Sequence, residues 1–242
     1  MKNLILKNLL TAFAVIGIST AATAEDAFSV EQKAAIEAII ADYVSNHPEI
    51  IVASMQKLEN NMRVQHEKNV QKAQESIRSR SDLPYIGKKG ASKTIIEFFD
   101  IHCGYCKIME PMMKKLVKEH QDIAVYYVNY PVFGKESQRA AVLGQAIYSV
   151  YPDKYALFHE KIMSSETPSF ENDDDLKKLV EDIGMKWSKI EEEIKSGKPQ
   201  TQIQQNLDLG PALGITGTPY FIINGQEFRG AIPSYEMLES KL

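Results

Sequence analysis

The alternation of apolar and polar residues divides the chain into a helical N-terminal part and a mixed α/β remainder. From Ser29 to about residue 80, apolar residues recur at helical spacing. Ser29 and Gln32 are placed to form a capping box at the start of this run. Asn46-His47-Pro48 interrupts it, and Pro48 suits the first position of a second helix. The pattern therefore predicts two successive helices before any strand.

The second helix carries an apolar seam with alternating spacings of four and three, which is typical of a coiled coil. The seam consists of Ile51, Met55, Leu58 and Met62. Since the segment offers little for this stripe to pack against, we predict that residues 25–78 form an oligomerisation region of a homodimer or homotrimer. The alternative is a helical hairpin folded back on the rest of the chain. Turn residues and charges in 79–93 predict a linker.

The remainder, residues 94–242, follows the order β-α-β, a long helical block, then β-β-α, which is an α/β pattern. Strands are expected at 94–99 and 123–130, with a helix from Cys103 to about His120 between them. Residues 137–213 are predicted to be mostly helical. Asn224-Gly225 lies between two short β-rich runs and indicates a hairpin with a type I′ turn.

The first 24 residues have the layout of a cleavable signal peptide. Lys2 and Lys7 precede an apolar run from Leu9 to Ile18, and Ala22-Thr23-Ala24 is an A-x-A cleavage site. The run is too short to span a bilayer. Because no cysteine lies near the cleavage site, a lipoprotein anchor is not expected. We therefore expect a soluble periplasmic protein.

Charge and cysteine content narrow the possible functions. The net charge of −4 gives no electrostatic argument for nucleic-acid binding. The chain has two cysteines, Cys103 and Cys106. A bridge between them closes a loop too small to stabilise a chain of this length, so redox chemistry explains the pair better than a structural role.

The segment Cys103-Gly104-Tyr105-Cys106 follows a predicted strand and begins a helix. The unpaired N–H groups of a helix N-terminus favour a thiolate, the species that attacks disulfides. Cys103 is therefore the expected nucleophile, and Cys106, one turn further on, the resolving thiol. A protonated His102 would also stabilise the thiolate; the alternative is a solvent-facing loop histidine with no part in the chemistry. The alternative of a zinc site lacks further ligands at suitable spacing, and no metal or cofactor is predicted.

Two motifs resemble the thioredoxin superfamily. The run from Glu97 to Lys107, EFFDIHCGYCK, with Pro111 inside the helix, is similar to its active-site strand and helix. Gly217-Thr218-Pro219-Tyr220-Phe221 resembles its cis-proline loop. The helical block between them resembles the DsbA branch, in which a helical domain interrupts the thioredoxin-like fold. The N-terminal helices, broken at Asn46-His47-Pro48-Glu49, resemble the Com1-like and ScsC-like members of that branch.

The resemblance implies a role for each motif residue. Cys103 and Cys106 would form a reversible disulfide. Pro219 would be cis, in a loop that offers backbone groups to an extended substrate, and Thr218 would modulate the cysteines. Glu97 would be the buried acid that relays protons to Cys106. Two tyrosines would supply apolar surface for the substrate, namely Tyr105 and Tyr220.

The balance of activities is less sharply indicated. Gly104-Tyr105 and Thr218 resemble the DsbC isomerase class more than DsbA, and an oligomerising N-terminus also suits isomerisation, whereas the helical block belongs to the DsbA side. We favour an isomerase and reductase acting on cysteine-containing exported proteins, with a membrane redox partner. The alternatives are a pure DsbA-like oxidase, or a non-enzymatic copper-binding protein in which Cys103, Cys106 and His102 hold Cu(I).

Overall fold

The computed structural model describes residues 28–164, 170 and 173–242, in two units that meet at Glu59 and Asn60. The predicted signal peptide, residues 1–24, lies outside the described residues. None of the described helices has both the length and the apolar character that a membrane span requires.

The first unit contains helix α1 (Val30–Asn46) and the beginning of helix α2 (Pro48–Ser79). The capping box is confirmed: Gln32 N donates to Ser29 Oγ at 3.3 Å, and Ser29 N donates to Gln32 Oε1 at 2.8 Å. Helix α1 buries none of its side chains. On α2 the apolar seam is exposed, and its members are Ile51, Met55, Leu58 and, in the second unit, Met62. Its role in oligomerisation stays a prediction.

The second unit is built around a five-stranded mixed sheet with the strand order β1-β3-β2-β4-β5. Strands β2 and β3 are parallel, and the other neighbouring pairs are antiparallel. The strands are β1 (Tyr85–Gly87), β2 (Lys93–Phe99), β3 (Ile123–Asn129), β4 (Tyr220–Ile223) and β5 (Gln226–Arg229). The predicted hairpin is confirmed, because Asn224 and Gly225 both have positive φ, as a type I′ turn requires.

Helices cover both faces of this sheet. The helices after β2 are α3 (Gly104–Glu119), α4 (Lys135–Val150), α5 (Pro152–Met163), α6 (Asp173–Asp182), α7 (Trp187–Lys195), α8 (Lys198–Leu213) and α9 (Tyr235–Glu239). Helices α4 to α8 account for the predicted helical block. The architecture is the thioredoxin-like α/β fold with a helical insertion that the sequence predicts.

The alternation of side chains along β2 decides which of them face helix α3. Ile95 and Phe99 pack with Met109 of α3 in one core cluster, whereas Ile96 and Phe98 pack in a second cluster on the other face. Glu97 lies two residues from both Ile95 and Phe99, so its side chain is on the same face of the sheet as theirs. The pleat of β2 therefore aims one carboxyl group at the α3 side of the sheet.

Two sequence predictions need correction: the end of the oligomerisation region at residue 78, and the linker over residues 79–93. The last part of α2 belongs to the compact second unit, where Val70, Ala73 and Ile77 are buried in the second cluster. The segment interpreted as a linker contains β1, which pairs antiparallel with β3. A three-residue edge strand is too short to show a period-two pattern, so the turn residues around it dominated the prediction.

Candidate active site

Cys103 occupies the junction between strand β2 and helix α3. It is the N-cap residue of α3, with an extended backbone, and Lys107 N donates to its carbonyl oxygen at 3.2 Å. Both cysteines are free thiols; Cys103 is 4% exposed and Cys106 is fully buried. The predicted nucleophile therefore lies at the helix N-terminus, as expected; we call it the outer sulfur, and the fully buried Cys106 the inner sulfur.

The loop before β4 lies against the outer sulfur. The Thr218–Pro219 peptide bond is cis, as the resemblance implies. In its thiol form Cys103 Sγ donates to the carbonyl oxygen of Thr218 at 3.2 Å. Thr218 Oγ1 is buried and has no hydrogen-bond partner among the described residues. Its hydroxyl is therefore available to donate to Cys103 once the sulfur is a thiolate.

The two sulfurs have opposite acidities. Hydrogen bonding from the Cys106 thiol, and then from the Thr218 side chain and the backbone of Cys106 and Tyr105, outweighs desolvation and lowers the pKa of Cys103 to about 5. Burial raises the pKa of Cys106 far above its usual value, and the hydrogen bond to Cys103 and the nearby Glu97 add to this. Cys103 is therefore a thiolate at neutral pH, and Cys106 keeps its proton.

Glu97 lies in the centre of β2 and is 1% exposed. It is opposite Tyr127 in β3 and Phe221 in β4, and its Oε1 has no hydrogen-bond partner among the described residues. Burial raises the pKa of its carboxyl well above the ordinary value, with further contributions from Glu110 and Cys103. The expected burial is confirmed. The carboxyl is electrostatically coupled to both cysteines.

The ring of His102 is occupied away from the cysteines. Its Nδ1 lies 3.0 Å from Ser137 Oγ, and its Nε2 lies 3.6 Å from Glu136 Oε2, both on α4. The prediction that His102 stabilises the Cys103 thiolate is not supported, because the ring is held by α4. A Cu(I) site on the two cysteines and His102 would require the ring to leave these partners.

The two tyrosines expected at the substrate surface differ. Tyr105, between the cysteines, is 64% exposed. Tyr220 is 1% exposed, and its hydroxyl donates to Glu227 Oε2 at 2.7 Å. The prediction for Tyr220 is wrong because the strand that follows Pro219 turns this side chain into the second core cluster.

Asp100 is a buried residue that the sequence reasoning missed. Its Oδ1 accepts from His102 N at 2.9 Å and Ser137 Oγ at 2.8 Å, and its Oδ2 accepts from Val132 N at 2.7 Å and Phe133 N at 3.1 Å. One carboxylate thus ties together the loop before Cys103, the loop after β3 and the start of α4. The available signal was its position directly after β2, on the side where α3 begins.

Comparison with known families identifies two matching regions. Residues 94–242 match the model of the DSBA-like thioredoxin domain, which covers more than half of the chain. Residues 32–61 match the N-terminal domain of the copper resistance protein ScsC. The second match covers most of α1 and the first part of α2.

Individual relatives agree with these matches. Disulfide bond formation protein D of Bacillus subtilis is 26% identical over 166 residues, which cover 65% of this chain and 74% of the relative. The thiol-disulfide exchange protein alpha-DsbA2 from Wolbachia pipientis is 27% identical, with a TM-score of 0.67 over 75% of this chain and 96% of that one. A linker-deletion variant of Proteus mirabilis ScsC, 23% identical, shares the fold over 89% of this chain and 95% of that one, with a TM-score of 0.63.

Proposed function

The chain belongs to the DSBA-like thioredoxin domain family of thiol-disulfide oxidoreductases, and we propose that it isomerises and reduces disulfides in exported proteins and also forms them. The observation that carries this proposal is the placement of Cys103 at the N-terminus of α3 and against the cis Thr218–Pro219 loop, with Cys106 fully buried one turn further along the helix. The acidities of the two thiols agree with this division. A thiolate at Cys103 is ready to attack, and a protonated Cys106 waits until a substrate is attached.

The first step is common to reduction and isomerisation. The Cys103 thiolate attacks one sulfur of a client disulfide, so that a mixed disulfide forms and the electron pair of the broken bond leaves on the other client sulfur. In isomerisation a second client thiolate displaces Cys103 from the mixed disulfide, and the enzyme returns unchanged. In reduction Cys106 attacks instead, which leaves the Cys103–Cys106 disulfide and a reduced client. Oxidation runs this last sequence backwards.

Glu97 is proposed as the base for Cys106. Because Cys106 is fully buried, its proton needs an internal acceptor before the sulfur can attack. The carboxyl of Glu97 is buried in the same unit, and no described residue hydrogen-bonds its Oε1. Transfer to Glu97 leaves a neutral acid in an environment that favours the neutral form.

The substrate is proposed to bind across Tyr105 and the loop at Thr218-Pro219. Tyr105 is exposed beside the outer sulfur, and the Thr218 carbonyl lies next to that sulfur. An extended chain placed there brings its own cysteine to Cys103 and its backbone to the loop. This binding surface selects for an accessible cysteine in an unfolded or flexible segment. The proposed partners are exported client proteins and a membrane redox protein.

The preference for isomerisation rests on the N-terminal helices and on Gly104-Tyr105 and Thr218. The exposed seam of Ile51, Met55, Leu58 and Met62 lies on the α2 helix, which begins within the ScsC-type match. Joining two or three copies through this seam would place several active sites around one misfolded client. Export is proposed from the signal-like pattern of residues 1–24.

Refolding of ribonuclease tests the proposal. Scrambled ribonuclease regains activity only through disulfide shuffling, whereas reduced ribonuclease requires oxidation. We expect the protein to reactivate both, with the scrambled form requiring reduced Cys103, and Cys103→Ser to abolish both activities. Reactivation of reduced ribonuclease alone would identify a pure oxidase. Failure to reactivate either form would contradict the proposal that the protein is a disulfide-exchange enzyme.

A further inference from the structure

A cluster of four buried polar side chains lies on the α3 side of the sheet and has no part in the scheme above. Glu110 of α3 is 7% exposed, and three further residues surround its carboxyl end. These are Tyr127 of β3, with its side chain fully buried, and Tyr155 and His159 of α5, each 1% exposed. Four polar groups at this depth require an account of their hydrogen bonds.

The carboxylate of Glu110 is the centre of the cluster. Its Oε2 accepts from the Tyr127 hydroxyl at 3.0 Å and lies 3.1 Å from His159 Nε2. Because a carboxylate is acceptor-only, Nε2 carries a hydrogen in this arrangement. The phenol of Tyr127 stays neutral, since burial and the charge of Glu110 raise its pKa well above the ordinary value. Tyr127 therefore remains a hydrogen-bond donor to Glu110, and the Glu110 carboxylate is shared between this hydroxyl and His159.

The second ring nitrogen of His159, Nδ1, faces the hydroxyl of Tyr155, which can serve it either as donor or as acceptor. His159 Nδ1 lies 3.4 Å from the Tyr155 hydroxyl. A hydroxyl can donate to a bare Nδ1 or accept from a protonated one by rotating its hydrogen. The ring is held in place by aromatic neighbours, with Tyr127 at 4.0 Å and Phe99 at 4.9 Å between ring centroids. His159 is thus built to keep one position in both charge states.

The cluster is coupled to the proposed base. Glu97 is the register partner of Tyr127 across β2 and β3, and the Tyr127 hydroxyl donates to Glu110 at 3.0 Å, so Tyr127 links the two carboxyl groups. The negative charge of Glu110 adds to burial in raising the pKa of Glu97. A positive charge on His159, at hydrogen-bond distance from Glu110, offsets that negative charge. Glu110 also lines a cleft of about 650 Å³, together with Lys107, Pro111, Lys114 and Glu160. Lys114 and Glu160 are paired with each other at 2.6 Å.

We propose that Glu110 and His159 form a proton-holding pair that sets the protonation state of Glu97, and so the rate at which Cys106 releases a bound substrate. The inference rests on the proposed function, in which Cys106 gives its proton to Glu97. The Cys106 thiolate then attacks the Cys103 sulfur, the Cys103–Cys106 bond forms, and the leaving sulfur departs with the electron pair. Glu110 and His159 touch neither sulfur and act as positioning residues through Glu97.

The two variants His159→Gln and Glu110→Gln give opposite predictions. Glutamine at 159 keeps a donor towards Glu110 but cannot take up a proton, so the pKa of Glu97 rises further and the pH profile of the release step moves to higher pH. Glutamine at 110 removes the negative charge, so the profile moves to lower pH. A shift of one pH unit corresponds to about a tenfold change in rate on the rising limb of the profile.

The measurement mixes the reduced protein with an aromatic disulfide that releases a coloured thiol at each step. The first release reports attack by Cys103 and depends on reagent concentration, and the second reports attack by Cys106 and does not. We expect the variants to shift only the second step. His120→Gln is the matched control, because His120 Nε2 pairs with Glu239 Oε1 at 2.8 Å elsewhere in the unit.

Three outcomes overturn the inference: profiles that coincide with the wild type, shifts in the same direction, or equal changes in both steps. If His159→Gln does not fold, as judged by circular dichroism, the Glu110→Gln profile decides alone. A wild-type protein that shows no second release contradicts the proposed function itself. A normal wild type with unshifted variants contradicts only the Glu110–His159 pair.

Discussion

Cys103 Sγ lies 3.2 Å from the carbonyl oxygen of Thr218, although the two residues are 115 positions apart in the chain. The contact joins the start of α3 to the loop before β4, whose strand pairs antiparallel with β2. Fold and site are therefore linked: the sheet register that brings Phe221 opposite Glu97 also brings Thr218 to the sulfur.

The first prediction concerns the acidity of Cys103. Thr218→Val keeps the shape of the side chain but removes a hydroxyl that helps to lower the pKa of Cys103 to about 5. We expect the pKa to rise, and to rise more in Cys106→Ala, because the Cys106 thiol is the largest cause of the lowering. The thiolate absorbance of the reduced protein, followed against pH, measures this. Thr201→Val is the control, and a Thr218→Val curve that overlays the wild type contradicts the assignment.

A second prediction concerns the base. Glu97→Gln leaves an isosteric side chain that cannot accept the Cys106 proton, so release from the mixed disulfide should slow about a hundredfold. Attack by Cys103 should keep its rate. The lifetime of the mixed disulfide with a small thiol is the measurement, and Glu136→Gln, a carboxylate near His102, is the control. Equal slowing of both steps would show that Glu97 supports only the structure.

A third prediction follows from the lowered pKa of Cys103. In the folded, reduced protein the thiol ionises at about 5, and its ordinary value is 9.0. A lowered folded pKa gives a stabilisation that is complete above the unfolded pKa and is lost as the pH falls to the folded pKa. As the pH rises from about 5 to 9, the reduced wild type should therefore become progressively more stable than reduced Cys103→Ser. The unfolding constants should diverge by at most about tenfold per pH unit.

Chemical denaturation at several pH values measures this difference. Cys106 adds no pH dependence below about pH 9, because its thiol is protonated there both in the unfolded chain, where its ordinary value is 9.0, and in the folded protein, where its pKa is raised. A stability difference that stays constant across the window would mean that the Cys103 thiolate is not favoured by the fold.

A fourth prediction concerns the apolar seam of α2. Met55→Glu and Leu58→Glu place charges in a stripe where both native side chains are more than half exposed. We expect light scattering to show the dimer or trimer dissociating, isomerase activity to fall severalfold and oxidation of reduced ribonuclease to persist. Asn61→Glu on the same helix is the control. A wild type that is already monomeric contradicts the oligomerisation region.

Deletion is a poorer test of the same region. The C-terminal part of α2 buries Val70, Ala73 and Ile77 against the sheet. Removing residues 25–78 would therefore expose the second core cluster and destabilise the second unit. Removing only the residues up to Glu59 leaves those contacts in place.

The local sequence pattern is sufficient to predict those features of the site that depend on a single helix or strand and its immediate neighbours. The β-rich run before Cys103 and the helical run after it place the sulfur at a helix N-terminus, whereas the burial of Glu97 was implied only by the resemblance of its motif to the thioredoxin superfamily. Tyr220 was mistaken because its neighbour Pro219 belongs to the site, whereas the pleat of β4 turns Tyr220 into the core. Which face of a short strand is covered depends on distant helices, here α2 and α8.

Pairs that form across elements left no local signal. Glu110 and His159 are 49 positions apart, and each is one of several polar residues in an amphipathic helix, so neither can be told from its solvent-exposed neighbours by sequence pattern. Asp100 likewise contacts loops that are more than thirty positions away. Such contacts follow from the packing of α3, α4 and α5 on the sheet, which no window of sequence contains.

The measurement that tests the central claim most directly is equilibration of the protein in glutathione buffers of graded redox potential, followed by trapping and counting of free thiols. We predict a single reversible two-electron transition between Cys103–Cys106 dithiol and disulfide, absent in Cys103→Ser and in Cys106→Ala. If the two thiols remain reduced in every buffer, or become oxidised without returning, the protein is not a thiol-disulfide oxidoreductase and the account fails.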